Sequence, residues 1–566
     1  MKETEAIQER LVRIYGKEKG KQAFDRILPI LESFPQQHKT REAYFSEKDV
    51  VLITYGDSLR SADAVPLATL DRFGAGYLQD VFSAIHILPF YPYSSDDGFS
   101  VIDFFAVNPE LGTWEDVRKL GERFELMFDF VLNHISSQSN WFQSYLAGEE
   151  GFADLAISVD PSIDLSAVTR PRSLPLLTEY QTLAGETVWV WTTFSADQID
   201  LNYQSIDVLE KMVQVLLHYV ANGARIIRMD AIAYLWKEIG THCIHLPETH
   251  EMVKLFRDIF NLVAPDVMNL TETNVPHPEN ISYFGNGRDE AQMVYNFTLP
   301  PLLLHTFVKQ DAAVLSRWAG GLALESPDTT FFNFTASHDG IGVRPLEGIL
   351  PEAELDDLIA VVRKNGGQVS YKQNTDGTES PYELNITYVD ALWKNTGEAD
   401  PNHARRFLAS QAIMLSLPGV PAVYIHSLLG TRNWLEGVRQ TGRARTVNRQ
   451  KLDIREVLSA LDDEQSFRAQ VFFPYVDLIA LRRKQPAFHP NASFAVMDGS
   501  ERVFALKRSA GGQTILCLTN VSEASVSLGT VEWLPQNTLD LITGQRFETQ
   551  DITLEPYQYR WLTVLA

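Results

Sequence analysis

The 566-residue sequence contains little cysteine, no long apolar run and no excess of positive charge. Its two cysteines, Cys243 and Cys517, are too few for a disulfide framework, and we expect a reducing, cytoplasmic setting. Because no apolar run reaches about 18 residues, we expect no transmembrane helix. The polar N-terminus, "MKETEAIQERLVRIYGKEKGKQ", also lacks the apolar core of a signal peptide.

The sequence has a formal net charge of −24, from 73 acidic and 49 basic residues. So acidic a chain is a poor partner for nucleic acid or an anionic membrane, and we expect neither. We expect small molecules as its partners. An anionic substrate then has to be met by a local cluster of arginines, and the block 430–449 holds five arginines and one acidic residue.

What the sequence does contain is a succession of short apolar runs, each followed by a polar loop and a helical pattern. They are "DVVLITYGDS", "AIHILPFYPY", "FELMFDFVLNH", "ARIIRMDAI", "DVMNLTETN", "AQMVYNFTLP", "TTFFNFTASHDG" and "LPGVPAVYIHSLLG". Apolar strands that alternate with helices predict an α/β protein with a parallel sheet covered on both faces. Eight such units predict a closed (β/α)₈ TIM barrel.

The spacing of the runs also predicts the domain organisation. Two gaps are too long for one helix, which predicts an inserted subdomain after strand three and a second insertion after strand seven. Past residue 485 the apolar pattern changes to period two with turns, typical of an antiparallel β-domain, a sandwich. The predicted boundaries are 1–46 for an N-terminal helical extension, 47–147, 206–339 and 401–484 for the barrel, 148–205 for subdomain B, 340–400 for the second insertion with acceptor and phosphate loops, and 485–566 for the C-terminal domain.

Polar residues gather where four of the predicted strands end. They are Asp129, Asn133 and His134 on strand three, Arg228 and Asp230 on strand four, Glu272 on strand five, and His338 and Asp339 on strand seven. A single acidic residue at a strand end is usually a helix cap or loop anchor, and a lone histidine is usually packed or on the surface. The carboxyl ends of barrel strands form one mouth, however, so this coincidence predicts an active site.

The stretch "GARIIRMDAIAYLWK", residues 223–237, places two charges in an apolar strand. Arg228 and Asp230 are two residues apart and therefore point to the same face of the strand. Burying either charge is costly unless it has a partner. We therefore expect them to pair. Asp129 either orients the loop after strand three or pairs with Arg228 as well.

Four stretches, "FDFVLNH", "ARIIRMDAI", "LTETN" and "TASHDG", resemble the signature regions of the α-amylase superfamily, glycoside hydrolase family 13. The resemblance extends over nearly the whole chain. It implies a retaining mechanism with Asp230 as nucleophile, Glu272 as general acid/base and Asp339 as stabiliser of the transition state. A retaining enzyme needs one ionised and one protonated carboxyl group, and we expect the charges of Asp230 and Asp339 to raise the pKa of Glu272.

The same resemblance implies how the glucosyl unit is held. Arg228 orients Asp230 and, as a neighbouring cation, lowers its pKa and keeps it ionised. His134 and His338 hold sugar hydroxyls. "HILPFYPYSSDDGFSVIDF", "NFTLPPLLLH" and "LLGTRNWLEGVRQTGRARTVNR" further resemble the sucrose phosphorylase subgroup. That likeness adds four glucose-binding residues: Asp96 as the clamp, Phe99 and Phe194 as aromatic walls, and Arg445.

Phosphate requires a cationic site, and "TRPRSLP" supplies Arg170 and Arg172. Arg172 matches the phosphate-contacting arginine of the subgroup, and Tyr382 in "SPYELN" matches a loop tyrosine that assists. A guanidinium suits this role because its planar fork grips phosphate oxygens in pairs. From the residues alone, an exposed loop around a proline turn is the less favoured alternative for "TRPRSLP".

The acceptor is indicated by "SSDDGFSVIDF", "DLSAVTRPRSLPLLT", "KEIGTHCIHL" and "ASHDGIGVRPLEGILPE", which resemble the glucosylglycerate phosphorylase branch. This resemblance implies reversible phosphorolysis of 2-O-α-D-glucosyl-D-glycerate to α-D-glucose 1-phosphate and D-glycerate, through a covalent glucosyl-aspartate. The glycerate carboxylate needs a cation, and the sequence does not choose among the candidates Lys237, His242, Arg170 and Arg432. Glu383 replaces a glutamine that helps bind fructose in the subgroup, and it is unfavourable there unless it pairs with one of these cations. Tyr234 and Lys237 are expected on the acceptor side.

Several alternatives remain open. The same mechanism could act on sucrose, sucrose 6'-phosphate or glucosylglycerol, or water could replace phosphate in an α-glucosidase. A non-catalytic scaffold barrel would normally have lost one of the three carboxylates, and a metal-dependent hydrolase would normally carry a motif such as HxH after strand one, "LITYGDS". We expect no metal and no cofactor, and a monomer or a homodimer.

Overall fold

The computed structural model describes residues 2–37, 40–172, 174–374, 377–548 and 551–564. Each of the eight apolar runs forms one strand of a closed parallel barrel, which confirms the predicted fold class. The strands are β1 (Val51–Thr54), β2 (Ala84–Ile87), β3 (Glu125–Phe130), β4 (Ala224–Met229), β5 (Met268–Thr271), β6 (Met293–Tyr295), β7 (Thr330–Asn333) and β8 (Val420–Tyr424). Val51 pairs with Ala84 on one side and with Ala422 on the other, so β1 closes the barrel between β2 and β8.

Helices cover the outside of the barrel, which explains why the strands are apolar on both faces. Those that follow the successive strands are Pro66–Phe73, Trp114–Gly121, Ile206–Ala221, Pro247–Val263, His277–Ile281, Leu299–Lys309 with Ala313–Gly320, His403–Ser416, and Phe467–Arg482. Further helices are Ile425–Leu428, Leu435–Thr441 and Ile454–Asp462. The carboxyl ends of the strands carry the loops and short helical turns that form the mouth.

The first insertion lies between β3 and the helix Ile206–Ala221. It comprises the helix Asn140–Leu146, a hairpin of Leu177–Gln181 and Thr187–Trp191, and an antiparallel pair of His134–Ser136 and Gln198–Asp200. Val168, Leu176 and Trp191 are part of a small apolar core of its own. Because His134 pairs with Asp200, the insertion is fixed directly at the mouth of the barrel.

The second insertion follows β7 and comprises the helices Glu352–Lys364 and Tyr388–Ala391 and a three-stranded sheet of Ile341–Gly342, Gln368–Gln373 and Glu379–Asn385. Two glycines let this sheet approach the mouth. A Cβ atom on Gly340 would lie 2.6 Å from the Glu383 side chain, and one on Gly342 would lie 2.5 Å from Asn274. Any other residue at either position would therefore displace a group at the mouth.

The two ends of the chain pack on the outside of the barrel. The helix Lys2–Tyr15 lies against Pro247–Val263, where Arg10 forms ion pairs with Glu251 at 2.8 Å and Asp258 at 3.2 Å. The helix Lys17–Ser33 lies against Ile206–Ala221. No helix among the described residues combines the length and the apolarity needed to span a bilayer. Cys243 and Cys517 are both buried and free.

The predicted C-terminal antiparallel β-domain is confirmed. Six strands form one sheet in the order Ser493–Val496, Val503–Ala510, Gln513–Asn520, Tyr559–Val564, Thr538–Asp540 and Arg546–Phe547. Phe504 and Trp561 face the barrel core, whereas Leu516 and Leu562 pack under a two-stranded sheet of Val526–Ser527 and Thr553–Leu554. One face of the domain is thus part of the main core.

Candidate active site

Arg228 lies between two carboxylates on the inner face of the barrel. Its Nη1 donates to Oδ1 of Asp230 at 2.6 Å and also to Oδ1 of Asp129. The other oxygen of Asp129 lies 2.6 Å from Nε2 of His86. Burial alone would raise the pKa of Asp129, but Arg228 and His86 outweigh burial and lower it. The buried guanidinium therefore has the partners that the sequence requires of it.

The pKa of Asp230 does not follow the simple expectation from its arginine. Burial raises it, and this effect outweighs the opposing charges of Arg228 and His134, so the net direction is upward rather than downward. The positive charge of Arg228 nevertheless lowers the pKa of Asp230, as expected. Asp230 accepts directly from the guanidinium, and this contact favours its ionised form against the effect of burial.

Glu272 follows β5 immediately, and its Oε2 accepts a hydrogen bond from the backbone N–H of Ala231 at 3.0 Å. Burial, together with the negative charges of Asp230 and Asp339, raises the pKa of Glu272 to about 7. This group can hold a proton at neutral pH and can also release it, which is what a general acid/base requires. The upward direction agrees with the expectation from the sequence.

Asp339 has the opposite environment, because two arginines face it. Its Oδ1 lies 2.6 Å from Nη1 of Arg445 and 3.6 Å from Nη2 of Arg449. Burial opposes ionisation, but Arg445, His338 and Arg449 together hold the pKa of Asp339 well below its usual range. Asp339 is therefore an ionised carboxylate beside a group that is half protonated near neutrality.

Aromatic rings and neutral histidines form the walls next to these carboxyls. His338 stacks on Phe99 with a centroid distance of 4.7 Å and an interplanar angle of 7°. Nε2 of His134 donates to the carbonyl of Phe99 at 2.9 Å, and the ring of Phe194 packs on His134 at 5.3 Å. Burial lowers the pKa of His338 to about 3 and also lowers that of His134, so both rings are neutral at pH 7.

The turn Asp96–Gly98 positions another carboxylate on the same cavity. Asp96 and Asp97 have φ angles of 53° and 50°, a region that costs a non-glycine residue about 1 kcal/mol. Asp96 accepts from Nε2 of Gln198 at 3.3 Å and pairs with Nη2 of Arg172 at 3.4 Å. Asp97 pairs with Arg449 at 2.5 Å. This local strain occurs at the mouth of the barrel, where backbone strain is often functional.

One cavity joins most of the predicted residues. The predicted residues on its lining are Asp96, Phe99, His134, Arg172, Phe194, Arg228, Asp230, Tyr234, Glu272, His338, Asp339, Tyr382 and Arg445. The structure thus brings together the three catalytic candidates, the seven glucose-binding candidates and three of the phosphate or acceptor candidates. These residues lie at the ends of β2, β4, β5, β7 and β8 or in the loops that follow them, and in both insertions.

Two larger cavities open from this one. The first, of about 510 Å³, shares Asp96, Pro171, Arg172, Tyr382 and Arg445 with the central cavity, and we call it the arginine chamber. Its lining also includes Glu383, Arg443 and Arg449. The second, of about 530 Å³, shares Pro171, Tyr234 and Tyr382 with the central cavity, and we call it the side chamber. Arg170 lies there.

The structure does not bring two predicted acceptor residues to any of these cavities. Lys237 is 6% exposed, and its Nζ lies 2.6 Å from Asp200 and donates to Asn133 at 2.7 Å. Its ammonium is therefore engaged in supporting the first insertion. His242 is exposed, and its Nδ1 donates to the carbonyl of Ala167 at 2.9 Å. This contact supports the loop that carries Arg170.

Glu383 and Arg432 also have partners other than those considered from the sequence. Glu383 forms a two-pronged ion pair with Arg445, at 3.0 Å from Nε and 2.9 Å from Nη2, and accepts from the N–H of Gly340 at 3.0 Å. The negative charge of Glu383 is thus compensated by Arg445, which the resemblance had assigned to glucose binding. Arg432 pairs with Asp390 instead of reaching the mouth.

Some residues at the mouth were not singled out from the sequence. Gln198 donates to Asp96 and to the carbonyl of Phe99, and no signal in the chain marks it. Arg449 stands in "TVNR" and Asn274 in "LTETN", so both lie in stretches that resemblance had already highlighted. No group of three His, Cys, Asp or Glu side chains with metal-site geometry occurs within the residues that the structure describes.

The comparisons with known proteins agree on one family. The α-amylase catalytic domain matches residues 75–318, and the C-terminal domain of maltogenic amylase matches residues 494–561. The chain is 49% identical to the glucosylglycerate phosphorylase of Escherichia coli K12, covering 92% of this chain and 93% of that protein. It is 47% identical to the glucosylglycerate phosphorylase of Allomeiothermus silvanus, covering 99% and 98%. The crystal structure of a sucrose 6F-phosphate phosphorylase from Thermoanaerobacter thermosaccharolyticum matches with a TM-score of 0.73 and 27% identity, over 84% of this chain and 94% of that one.

Proposed function

The chain belongs to the α-amylase family, in the group of the glucosylglycerate phosphorylases, and from this we propose that it catalyses reversible phosphorolysis of 2-O-α-D-glucosyl-D-glycerate. The products are α-D-glucose 1-phosphate and D-glycerate. The family membership confirms the resemblance inferred from the sequence motifs. The enzyme is a glycosyl-transferring phosphorylase, and the roles of its individual residues below are part of the proposal.

The observation that carries the proposal is the pairing of a small, carboxylate-bearing cavity with an outlet rich in arginine. Asp230, Glu272 and Asp339 line the central cavity, and the adjoining arginine chamber carries four arginines: Arg172, Arg443, Arg445 and Arg449. A hydrolase needs only water at this position. The same lining carries three carboxylates, Asp96, Asp97 and Glu383, so the guanidinium groups exceed the acids by one. In a chain of net charge −24, this local positive excess favours an anionic reactant such as phosphate.

In the first half of the reaction, Oδ of Asp230 attacks the anomeric carbon and displaces the 2-oxygen of glycerate. Glu272 gives its proton to that oxygen, so D-glycerate leaves with a neutral 2-hydroxyl group and Glu272 becomes a carboxylate. Asp339, held ionised by Arg445 and Arg449, stabilises the positive charge that develops on the sugar ring. The product is a covalent glucosyl ester of Asp230.

In the second half, phosphate attacks the same carbon and regenerates Asp230. The ester has removed the negative charge of Asp230, which contributed to raising the pKa of Glu272, so that pKa falls after the first half. Glu272 is then a carboxylate that accepts the proton of the incoming phosphate. Arg172 and Tyr382 line both the central cavity and the arginine chamber, which supports their assignment to the phosphate.

A donor screen tests the assignment. Purified protein is incubated with phosphate and, in turn, glucosylglycerate, sucrose, sucrose 6'-phosphate or glucosylglycerol, and release of α-D-glucose 1-phosphate is measured. We expect the highest kcat/KM with glucosylglycerate. A higher value with any other donor refutes the acceptor assignment, and release of free glucose at a rate independent of phosphate would identify an α-glucosidase instead.

The cytoplasm is the proposed location. Cys243 and Cys517 are both free and buried, which is ordinary for a protein that works in a reducing compartment.

A further inference from the structure

We propose that Arg344 binds the carboxylate of the glycerate and thereby selects this acceptor. The inference deepens the proposed function and rests on it. Arg344 was not among the cations considered from the sequence, and it lines the side chamber next to the central cavity.

The side chamber has the charge that an anionic acceptor requires. Its described lining contains three cations, Arg170, Arg344 and Lys372, and no carboxylate. The chamber adjoins the central cavity at Pro171, Tyr234 and Tyr382, which line both. Acidic residues outnumber basic ones in this chain of net charge −24, so a described lining with three cations and no acid differs from the average surface of the protein.

Arg344 has donors that none of the described residues accepts. Its side chain is 17% exposed, and its nearest ion-pair partners, Glu279 and Glu347, lie 3.9 Å away, beyond hydrogen-bond distance. Its Nε is buried, and no hydrogen-bond partner for it occurs in the described part of the chain. A buried donor without a partner is unfavourable, and a carboxylate from a ligand would satisfy it.

The other two cations of the chamber are less suited to this role. Nη2 of Arg170 donates to the carbonyl of Leu174, which stabilises its own loop. Nζ of Lys372 lies 3.6 Å from Glu347 and offers a single point charge instead of a planar fork. Nε of Arg170 is also buried without a partner among the described residues, so the two arginines differ in the bond that Nη2 of Arg170 already makes. The side chain of Arg344 makes no hydrogen bond to a described residue, which leaves a whole edge of its guanidinium for a carboxylate to bind with two parallel bonds.

The backbone places Arg344 close to the reacting groups. It begins the turn Arg344–Leu346 directly after Val343, whose N–H donates to the carbonyl of Tyr382 at 3.1 Å. Gly342 lets this segment approach Asn274, which follows Glu272 by two residues and whose Oδ1 is buried without a partner. The segment therefore lies against both Tyr382 and the loop that carries the acid/base.

Tyr234 connects the two sites. Burial raises the pKa of its hydroxyl, and the charges that act on that hydroxyl include both Arg344 and Glu272. In D-glycerate the hydroxyl that reacts and the carboxylate are both bonded to carbon 2. A carboxylate on Arg344 therefore keeps the 2-hydroxyl close to Tyr234, which lines both the side chamber and the central cavity that holds Glu272.

The test compares Arg344→Met with Arg439→Met, the same change at a side chain that is 71% exposed on the helix Leu435–Thr441 and lines none of the three cavities. Two activities are measured with α-D-glucose 1-phosphate as donor: transfer to D-glycerate, and arsenolysis, which needs no glycerate. We expect Arg344→Met to lower the ratio of kcat/KM for glycerate to kcat/KM for arsenolysis by about 10- to 100-fold. The fall should come mainly from a higher KM for glycerate.

Arg344→Lys, which keeps the charge but loses the fork, should give an intermediate ratio, and it provides the same comparison if Arg344→Met does not fold. A ratio unchanged from wild type, or an equal loss of glycerate transfer and arsenolysis, overturns the role of Arg344. Failure of the proposed function looks different, because the wild-type enzyme would then perform arsenolysis but would not transfer glucose to glycerate.

Discussion

Replacing Glu272 by glutamine should make the protein more stable at alkaline pH while removing its activity. Glutamine has nearly the shape of glutamate and no charge. In the native structure Glu272 is buried beside Asp230 and Asp339, and these surroundings raise its pKa from the usual 4.5 to about 7. Such a carboxyl is kept for its chemistry at the expense of folding free energy.

The magnitude follows from proton linkage. The unfolded chain releases the proton of Glu272 near pH 4.5, whereas the folded protein holds it until about pH 7, so stability falls as the pH rises between these values. At 1.36 kcal/mol per pH unit, the full penalty above pH 7 is about 3 kcal/mol. Glu272→Gln removes it, so the variant should exceed wild type by about 3 kcal/mol at pH 8 and by about 1 kcal/mol or less at pH 5.

Calorimetric Tm values at pH 5 and pH 8 measure the effect. With an unfolding entropy of about 2.1 cal/mol/K per residue, a chain of 566 residues gains about 2 °C from about 3 kcal/mol. Glu32→Gln, an exposed position on the helix Lys17–Ser33, is the matched control and should show no such pH-dependent gain. Phosphorolysis by Glu272→Gln should fall by about 10²- to 10⁴-fold, the usual contribution of a general acid/base.

The pH dependence of the wild-type enzyme provides an independent readout. Because the first half of the reaction needs protonated Glu272, kcat/KM for glucosylglycerate should decline above about pH 7. A Tm gain that is equal at pH 5 and pH 8 contradicts the linkage argument. An unchanged kcat/KM in the variant, or a wild-type profile that stays flat up to pH 9, contradicts the role of Glu272.

Three further substitutions test other parts of the structure. Asp230→Ala should lower kcat/KM by at least about 10³-fold, because no second nucleophile is available, and phosphorolysis close to wild type in this variant refutes the covalent step. Arg172→Ala should raise KM for phosphate about 10- to 100-fold, and unchanged turnover at limiting phosphate shows that Arg172 does not bind it. Lys237→Met leaves Asp200 buried without its cation, so a loss of about 3–5 kcal/mol and a lower Tm are expected without a rise in KM for glycerate. A raised KM with an unchanged Tm instead places Lys237 at the acceptor.

The barrel and its catalytic carboxyls could be read from the sequence because both follow from local patterns. Strands buried on two faces must be apolar along their whole length, so β1–β8 each stand out as an uninterrupted run. The carboxyl ends of parallel strands share one edge, so a polar residue at the end of a run is placed without knowledge of any contact. Asp230, Glu272 and Asp339 were found in this way.

The acceptor side could not be read in the same way, because its contacts join segments far apart in the chain. Lys237 pairs with Asp200 of the first insertion, and Glu383 pairs with Arg445, 62 residues further along. From the sequence, each of these charges is a free cation or anion near the mouth. Only the folded insertions show which charges neutralise one another and which, like Arg344, keep unused donors.

Whether a charged group faces a partner of opposite sign also explains how one cavity keeps neighbouring carboxyls in different protonation states. Asp339 and Glu272 are both buried, so burial favours the neutral form of each. Asp339 faces Arg445 and Arg449 and stays ionised. Glu272 accepts a backbone N–H as its one hydrogen bond from the described residues, and burial with the charges of Asp230 and Asp339 outweighs the charge of Arg228. Glu383 in turn draws two nitrogens of Arg445 away from the sugar site, so the guanidinium is fixed with Nη1 towards Asp339. The residue that looked unfavourable in the sequence therefore orients the arginine that keeps Asp339 charged.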